Sequence, residues 1–168
     1  MARKLTISIM VLVLSGMVAG CGSNSTADKE QAVLKAAEAA YYRKDFATAA
    51  RGFQLLADRG NARAQFFLGE MYLAGTGVKQ DDAQALKLER AAAEKGSEGA
   101  QYTLGGMYER GQGVPKDIVQ AHVWYGLSAQ SGDEQALRKK AALENVMSAS
   151  QLQQAQEQEK AWIKSHGS

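Results

Sequence analysis

The sequence predicts an all-α fold, an α-solenoid of antiparallel helix pairs finished by a C-terminal capping helix pair. Three observations predict it. From Glu30 onward the chain is rich in alanine, and its apolar residues recur at spacings of three and four with few alternating runs. The single proline is Pro115, while glycines punctuate the periodic stretches where helices must end. The chain also repeats itself: sliding it by 36 residues superposes 15 identities in 36 positions, against about two or three expected from composition.

Composition narrows the function classes before any motif is read. A chain of 168 residues makes one domain or one repeat array, and 45% hydrophobic with 23% charged residues excludes a wholly disordered polymer. One cysteine cannot form an internal disulfide, and one cysteine with two histidines cannot supply a structural zinc site of four cysteines or of two each. Residues 1–20 hold Arg3 and Lys4 and no acid, so the rest carries 18 basic and 18 acidic residues. Such a balance gives no global charge reason to seek nucleic acid, and neither a nucleic acid nor a metal is expected as a partner.

Met1 to Lys4 is a short basic segment, and Leu5 to Val18 is a mostly apolar run of 14 residues. A span needs about 20 apolar residues, so residues 1–20 read as a signal peptide. Val18-Ala19-Gly20-Cys21 resembles the bacterial lipobox, an aliphatic residue and two small residues before a cysteine. The resemblance implies a diacylglyceryl thioether on Cys21, cleavage before it and acylation of the new amine, which makes the covalent lipid the only attached group expected. By the same resemblance, Gly22 rather than Asp after the cysteine implies the outer rather than the inner membrane, and the periplasmic face is the expected side. Residues 21–29 lack apolar content beyond the lipidated cysteine and read as a flexible tether.

Residues 30–60 form a first helix pair, with Tyr41, Phe46, Ala49 and Phe53 as its apolar positions. Asp45, Ala49, Ala57 and Gly60 keep the 36-residue phase with Asp81, Ala85, Ala93 and Gly96. Residues 61–96 and 97–132 are two full units. In each, Leu68, Met71 and Tyr72, or Leu104, Met107 and Tyr108, make one apolar stripe on a first helix. Gly69 and Gly105 lack a Cβ and permit a second helix to approach that stripe. Gly75 with Gly77, and Gly111 with Gly113, end the first helices; Asp81 and Asp117 cap the second ones, each with a glutamine three residues on. Second helices carry Ala85, Leu88 and Ala92, then Ala121, Trp124 and Ser128, and stop at Gly96 and Gly132. Residues 133–168 give two capping helices, the last opened by Ser148-x-x-Gln151 and carrying Leu152, Ala155, Trp162 and Ile163, with His166 in a frayed tail.

The pattern A-x-x-x-L-G-x-M-Y-x-x-G-x-G-V-x-x-D-x-x-x-A, followed by A-x-x-G, resembles the Sel1-like repeat, a relative of the tetratricopeptide repeat. Two units over residues 62–132 carry the resemblance, and Tyr41 to Gly60 is similar to a tetratricopeptide unit with a shorter loop. It implies a right-handed superhelix of helix pairs with the first helices on the concave face.

Catalytic constellations do not emerge. There is no phosphate-binding glycine loop ending in Lys-Ser/Thr, no His-Glu-x-x-His, no Gly-x-Ser-x-Gly and no Cys-x-x-Cys. Gly75-x-Gly77 and Gly111-x-Gly113 recur with the repeat and read as structural turns, and Trp124 stands where Leu88 stands one repeat earlier. His122 reads as a partly packed helix residue. No catalytic residues are assigned, and the chain reads as a non-enzyme.

The remaining signal is a surface. In the tetratricopeptide-like register Lys35, Tyr42 and Arg43, then Arg63, Phe66 and Glu70, then Tyr102, Glu109 and Arg110 fall on the concave face. Aromatics with arginines are the composition of interface hot spots. Packing of Phe66 and Tyr102 against neighbouring repeats accounts for the same residues equally well. Three functions follow in order: a lipid-anchored envelope scaffold that binds a protein or peptide partner; a structural accessory of an outer-membrane assembly, secretion or polysaccharide-export complex; and a β-lactam-binding or hydrolysing enzyme. The third comes from cysteine-rich relatives, whose paired cysteines this chain lacks.

Overall fold

The computed structural model describes residues 25–166, which form eight helices; residues 1–20, expected to be a signal peptide, and Cys21 lie outside the described residues. The helices are α1 (Thr26–Tyr42), α2 (Phe46–Ala57), α3 (Ala62–Ala74), α4 (Asp82–Ala93), α5 (Glu98–Arg110), α6 (Ile118–Ala129), α7 (Glu134–Glu144) and α8 (Ala149–His166). α1 packs on α2, α3 on α4 and α5 on α6, and each second helix packs on the first helix of the next pair, which is the all-α solenoid the sequence predicts.

Local chemistry sets the boundaries. Asp45, Asn61, Asp81, Asp117 and Asp133 each accept a backbone N–H of the following turn and start α2, α3, α4, α6 and α7. The αL residues Gly75 (φ 66°) and Gly111 (φ 72°) end α3 and α5. Gly77 has a second reason to be glycine: a Cβ there would lie 2.5 Å from the Phe46 carbonyl oxygen, so the turn of one repeat presses on the backbone of the preceding second helix. In the first pair the connection is shorter, residues 43–45, and turns without glycine, with Lys44 at φ 65°.

Three expectations are corrected. The stretch expected to be a tether through Lys29 is helical from Thr26, because Ser25 and Asp28 form a capping box that closes the first turn. His166 is the last residue of α8 rather than part of a frayed tail: its ring stacks on Trp162 with centroids 4.2 Å apart. His122 is wholly buried rather than partly packed, with Nε2 3.0 Å from Glu144 Oε1 where α6 meets α7.

Two buried glutamines tie successive units. Gln65 Nε2 donates to the Ala57 carbonyl (3.3 Å) and Gln101 Nε2 to the Ala93 carbonyl (3.2 Å), so one repeated letter fastens each first helix to the end of the preceding second helix. The cap is built differently. α7 and α8 both pack on α6, and Lys140 Nζ reaches Glu159 Oε2 at 3.0 Å between them. α8 opens on the predicted box, with Ser148 N–H donating to Gln151 Oε1 (2.9 Å) and Gln151 N–H to Ser148 Oγ (3.3 Å).

The apolar core divides into two clusters. One joins Leu34, Phe53, Leu56, Leu68 and Met71; the other joins Leu104, Val119, Trp124, Tyr125 and Leu127 with Leu143 and Ala155 of the cap. Between them, on α4, lies the buried carboxyl of Glu89.

Candidate functional site

The first helices α1, α3, α5 and α7 form a row, and one polar contact bridges each step of it. Between α1 and α3, Glu38 pairs with Arg63, whose guanidinium also lies 5.8 Å from the Phe67 ring centroid. Between α3 and α5, Thr103 Oγ1 donates to Glu70 Oε1 at 2.9 Å. Between α5 and α7, Lys139 Nζ donates to Glu109 Oε2 at 3.0 Å, and the Tyr125 hydroxyl of α6 donates to the same oxygen at 2.6 Å.

The predicted surface residues separate into two sets. Lys35, Tyr42, Arg43, Arg63 and Arg110 are exposed, Tyr42 at 70%. Arg43 is the C-cap of α1, and Tyr42 sits edge-on to Tyr41. Phe66, Glu70, Tyr102 and Glu109 are half-buried and engaged within the fold. Phe66 packs so closely at the start of α5 that a Cβ on Gly99 would meet its ring at 2.9 Å. Tyr102 is tilted against Tyr125 with centroids 5.4 Å apart. Arg63 and Phe66 come together, with Phe67, Lys95 and Ser97, around a surface cavity of about 390 Å³. A larger cavity of about 700 Å³, lined by Tyr72, Val78, Gln80 and Asp81, lies at the turn between α3 and α4 and holds none of the predicted residues.

Electrostatics differ from step to step. Burial pushes the Glu109 carboxyl upward, but the hydrogen bonds from Tyr125 and Lys139 and the charges of Lys139 and Arg110 prevail, and it is held below the ordinary range. Burial and the Glu109 bond together raise the Tyr125 phenol well above its usual value, so a charged carboxylate and a neutral phenol share the proton's hydrogen bond. One repeat earlier the balance reverses. Burial, and then the nearby Glu70 charge, push Glu89 up to about 10, and neither of its carboxyl oxygens has a hydrogen-bond partner.

Glu38, Phe67, Thr103, Lys139 and above all Glu89 escaped the register argument, which considered only one stripe of each first helix. A signal for Glu89 was present: thirty-six residues on either side of it stand Phe53 and Tyr125. A carboxyl at a position otherwise aromatic marks a departure from the repeat.

Among the described residues, no three His, Cys, Asp or Glu side chains gather as they would around a metal ion, and no helix is long and apolar enough to cross a membrane.

The Sel1 repeat family matches residues 62–97 and 99–133. A protective antigen present in uropathogenic Escherichia coli strains, which displays an SLR fold, is 31% identical with a TM-score of 0.77 over 82% of this chain and 31% of that one. A Sel1 repeat protein from Oxalobacter formigenes is 30% identical with a TM-score of 0.62 over 66% of this chain and 45% of its own. The chain thus spans less than half the length of either structure. No curated protein matches it. Sel1 repeat proteins generally mediate protein–protein interaction and are typically non-enzymatic scaffolds.

Proposed function

From the two Sel1 repeats that match within residues 62–133, and from the further helices that flank them, we propose that the chain is a lipid-anchored scaffold of the cell envelope whose first-helix face docks a segment of a partner protein. The observation that carries the reading is the row of exposed side chains on that face. Arg63 lies over Phe67 beside a cavity of about 390 Å³, and Arg110 stands exposed at the end of α5. A planar guanidinium backed by an aromatic ring is a common anchor in protein interfaces.

The lipobox-like Val18-Ala19-Gly20-Cys21 supports the anchor. Because α1 opens at Thr26, only residues 22–25 separate Cys21 from the first helical turn. Four extended residues reach about 14 Å, so the array is held against the membrane surface.

Two measurements test the proposal. In intact cells carrying the full chain, crosslinking followed by mass spectrometry should recover a defined envelope protein with the wild type and lose it with Arg63→Ala and Arg110→Ala combined. Both residues are exposed, so the melting curve should stay nearly unchanged; Tyr102 is left intact because it packs on Tyr125. Unchanged capture by the double variant refutes the docking face. Fatty-acid labelling should mark the wild type and not Cys21→Ala, and a soluble, unlabelled wild type refutes the anchor.

A further inference from the structure

We infer that Glu70 and Glu89 form a subsite on the first-helix face that receives one cationic side chain, a lysine ammonium or an arginine guanidinium, from the docked partner segment. The inference rests on the docking reading above and specifies the chemistry of what docks.

The row of first helices shows what is missing. At the α1–α3 step an acid, Glu38, meets a base, Arg63; at the α5–α7 step Glu109 meets Lys139. At the step between them Glu70 meets only the hydroxyl of Thr103, the residue that stands thirty-six positions before Lys139 in the repeat. The position that carries a cation at the α5–α7 step thus carries an uncharged hydroxyl at the preceding one, where the acid also stands elsewhere: Glu70 aligns with Gly106, and Glu109 with Leu73.

The second observation is Glu89. It is 0% exposed, and neither oxygen finds a donor or acceptor. Its carboxyl occupies the space that Gly69 leaves open on α3, next to Glu70, as the Tyr125 ring occupies the space over Gly105. Phe53 and Tyr125 demonstrate that this position of the repeat accepts an aromatic ring, so the fold has no structural need of an acid there. An unpartnered buried acid costs stability. Its placement at the base of an uncompensated step points to a ligand.

No cation answers this pair. Glu70 on α3 sets a like charge near Glu89, Thr103 of α5 meets Glu70 with a hydroxyl alone, and Arg90, next to Glu89 on α4, donates to the Tyr108 hydroxyl at 2.6 Å. A cationic side chain entering beside the half-buried Glu70 draws that carboxylate off Thr103 and uncovers Glu89. Glu89 then gives its proton to solvent, and two carboxylates enclose one cation.

A random linear peptide library selected against the full chain in detergent micelles near neutral pH tests this. The expected result is peptides that share a lysine or arginine, bind about tenfold or more weakly when that residue becomes norleucine, and lose similar affinity in Glu70→Gln and in Glu89→Gln. Glutamine is isosteric with the neutral acid, so both variants keep the fold. Because one proton leaves per peptide bound, wild-type affinity should rise by up to about tenfold per pH unit above neutrality, and Glu89→Gln should abolish that slope. Peptides that depend on Arg63 and Arg110 yet share no basic residue, or whose binding ignores Glu89→Gln and pH, overturn the subsite and leave the docking face standing. Failure to select any peptide overturns both.

Discussion

Replacing Glu89 by glutamine should make the protein more stable, and the gain should grow with pH. The neutral acid and the amide are nearly the same size, so the substitution changes little in the packing against Gly69 and α3. What it removes is ionisation. In the folded protein burial and the Glu70 charge push Glu89 from its ordinary 4.5 up to about 10. A group whose folded value lies above its unfolded value contributes fully below the unfolded value, and that contribution is lost as pH rises toward the folded one. Across that window the unfolded chain ionises while the folded chain must hold its proton, at about 1.4 kcal/mol per pH unit. Between about pH 5 and pH 7 the difference between variant and wild type should therefore widen by about 3 kcal/mol, a large share of the roughly 5–15 kcal/mol typical of a domain. Urea denaturation of both proteins across this range reads it directly. With an m value of about 2 kcal/mol per molar, the midpoints should separate by about 1.5 M. Taking the difference between the two proteins cancels the titration of every other carboxylate. Parallel stability profiles, or a wild type that gains on the variant as pH rises, would refute the account of a buried neutral acid.

The neighbouring step should respond in the opposite sense to pH. Tyr125→Phe removes the hydroxyl that donates to Glu109 at 2.6 Å and should cost about 1.5–3 kcal/mol at neutral pH. Glu109 is held below its ordinary value, so its contribution is present above the carboxylate range and fades in acid; urea curves should show the cost of Tyr125→Phe shrinking below about pH 4. Gly105→Ala places a Cβ 2.8 Å from Tyr125 Cδ1, and after about 1 kcal/mol of gained helix propensity it should still destabilise by about 1–2 kcal/mol in thermal melts followed by circular dichroism. Lys44→Gly relieves a left-handed backbone at φ 65° and should raise stability by about 0.5–1 kcal/mol in the same assay; a loss would mean that the lysine side chain, not the turn, matters there.

Much of the fold was legible because each repeated letter performs one separable physical task. Asp81 and Asp117 cap helices, Gly75 and Gly111 take positive φ, and Gly69 and Gly105 admit a close side chain, so spacing alone located them. Other features depended on chemistry that composition hides. Ser25 and Asp28 look like tether residues until their reciprocal hydrogen bonds are seen, and His166 looks like a tail until its ring is found on Trp162. The candidate face was legible in outline. Its register picked out exposed Arg63 and Arg110 together with half-buried Phe66 and Tyr102, because a helix stripe specifies direction and not how far the next repeat covers it.

Departures from the repeat carry different information from its identities. An identity such as Gln65 with Gln101 answers a requirement every unit shares, here a link to the carbonyl at the end of the preceding second helix, and so speaks of stability. The series Phe53, Glu89, Tyr125 answers no shared requirement: one place over the first helix is filled by a ring, an acid and a phenol. The series Phe67, Thr103, Lys139 varies in the same way along the row of first helices. Where the two series meet in the last repeat they form a satisfied cluster, with Tyr125 and Lys139 both donating to Glu109. Where they meet one repeat earlier, Glu89 and Thr103 leave Glu70 without a cation. A solenoid distinguishes partners through such unshared positions, and the uncompensated acid pair of Glu70 and Glu89 is one place where this chain departs from its own repeat.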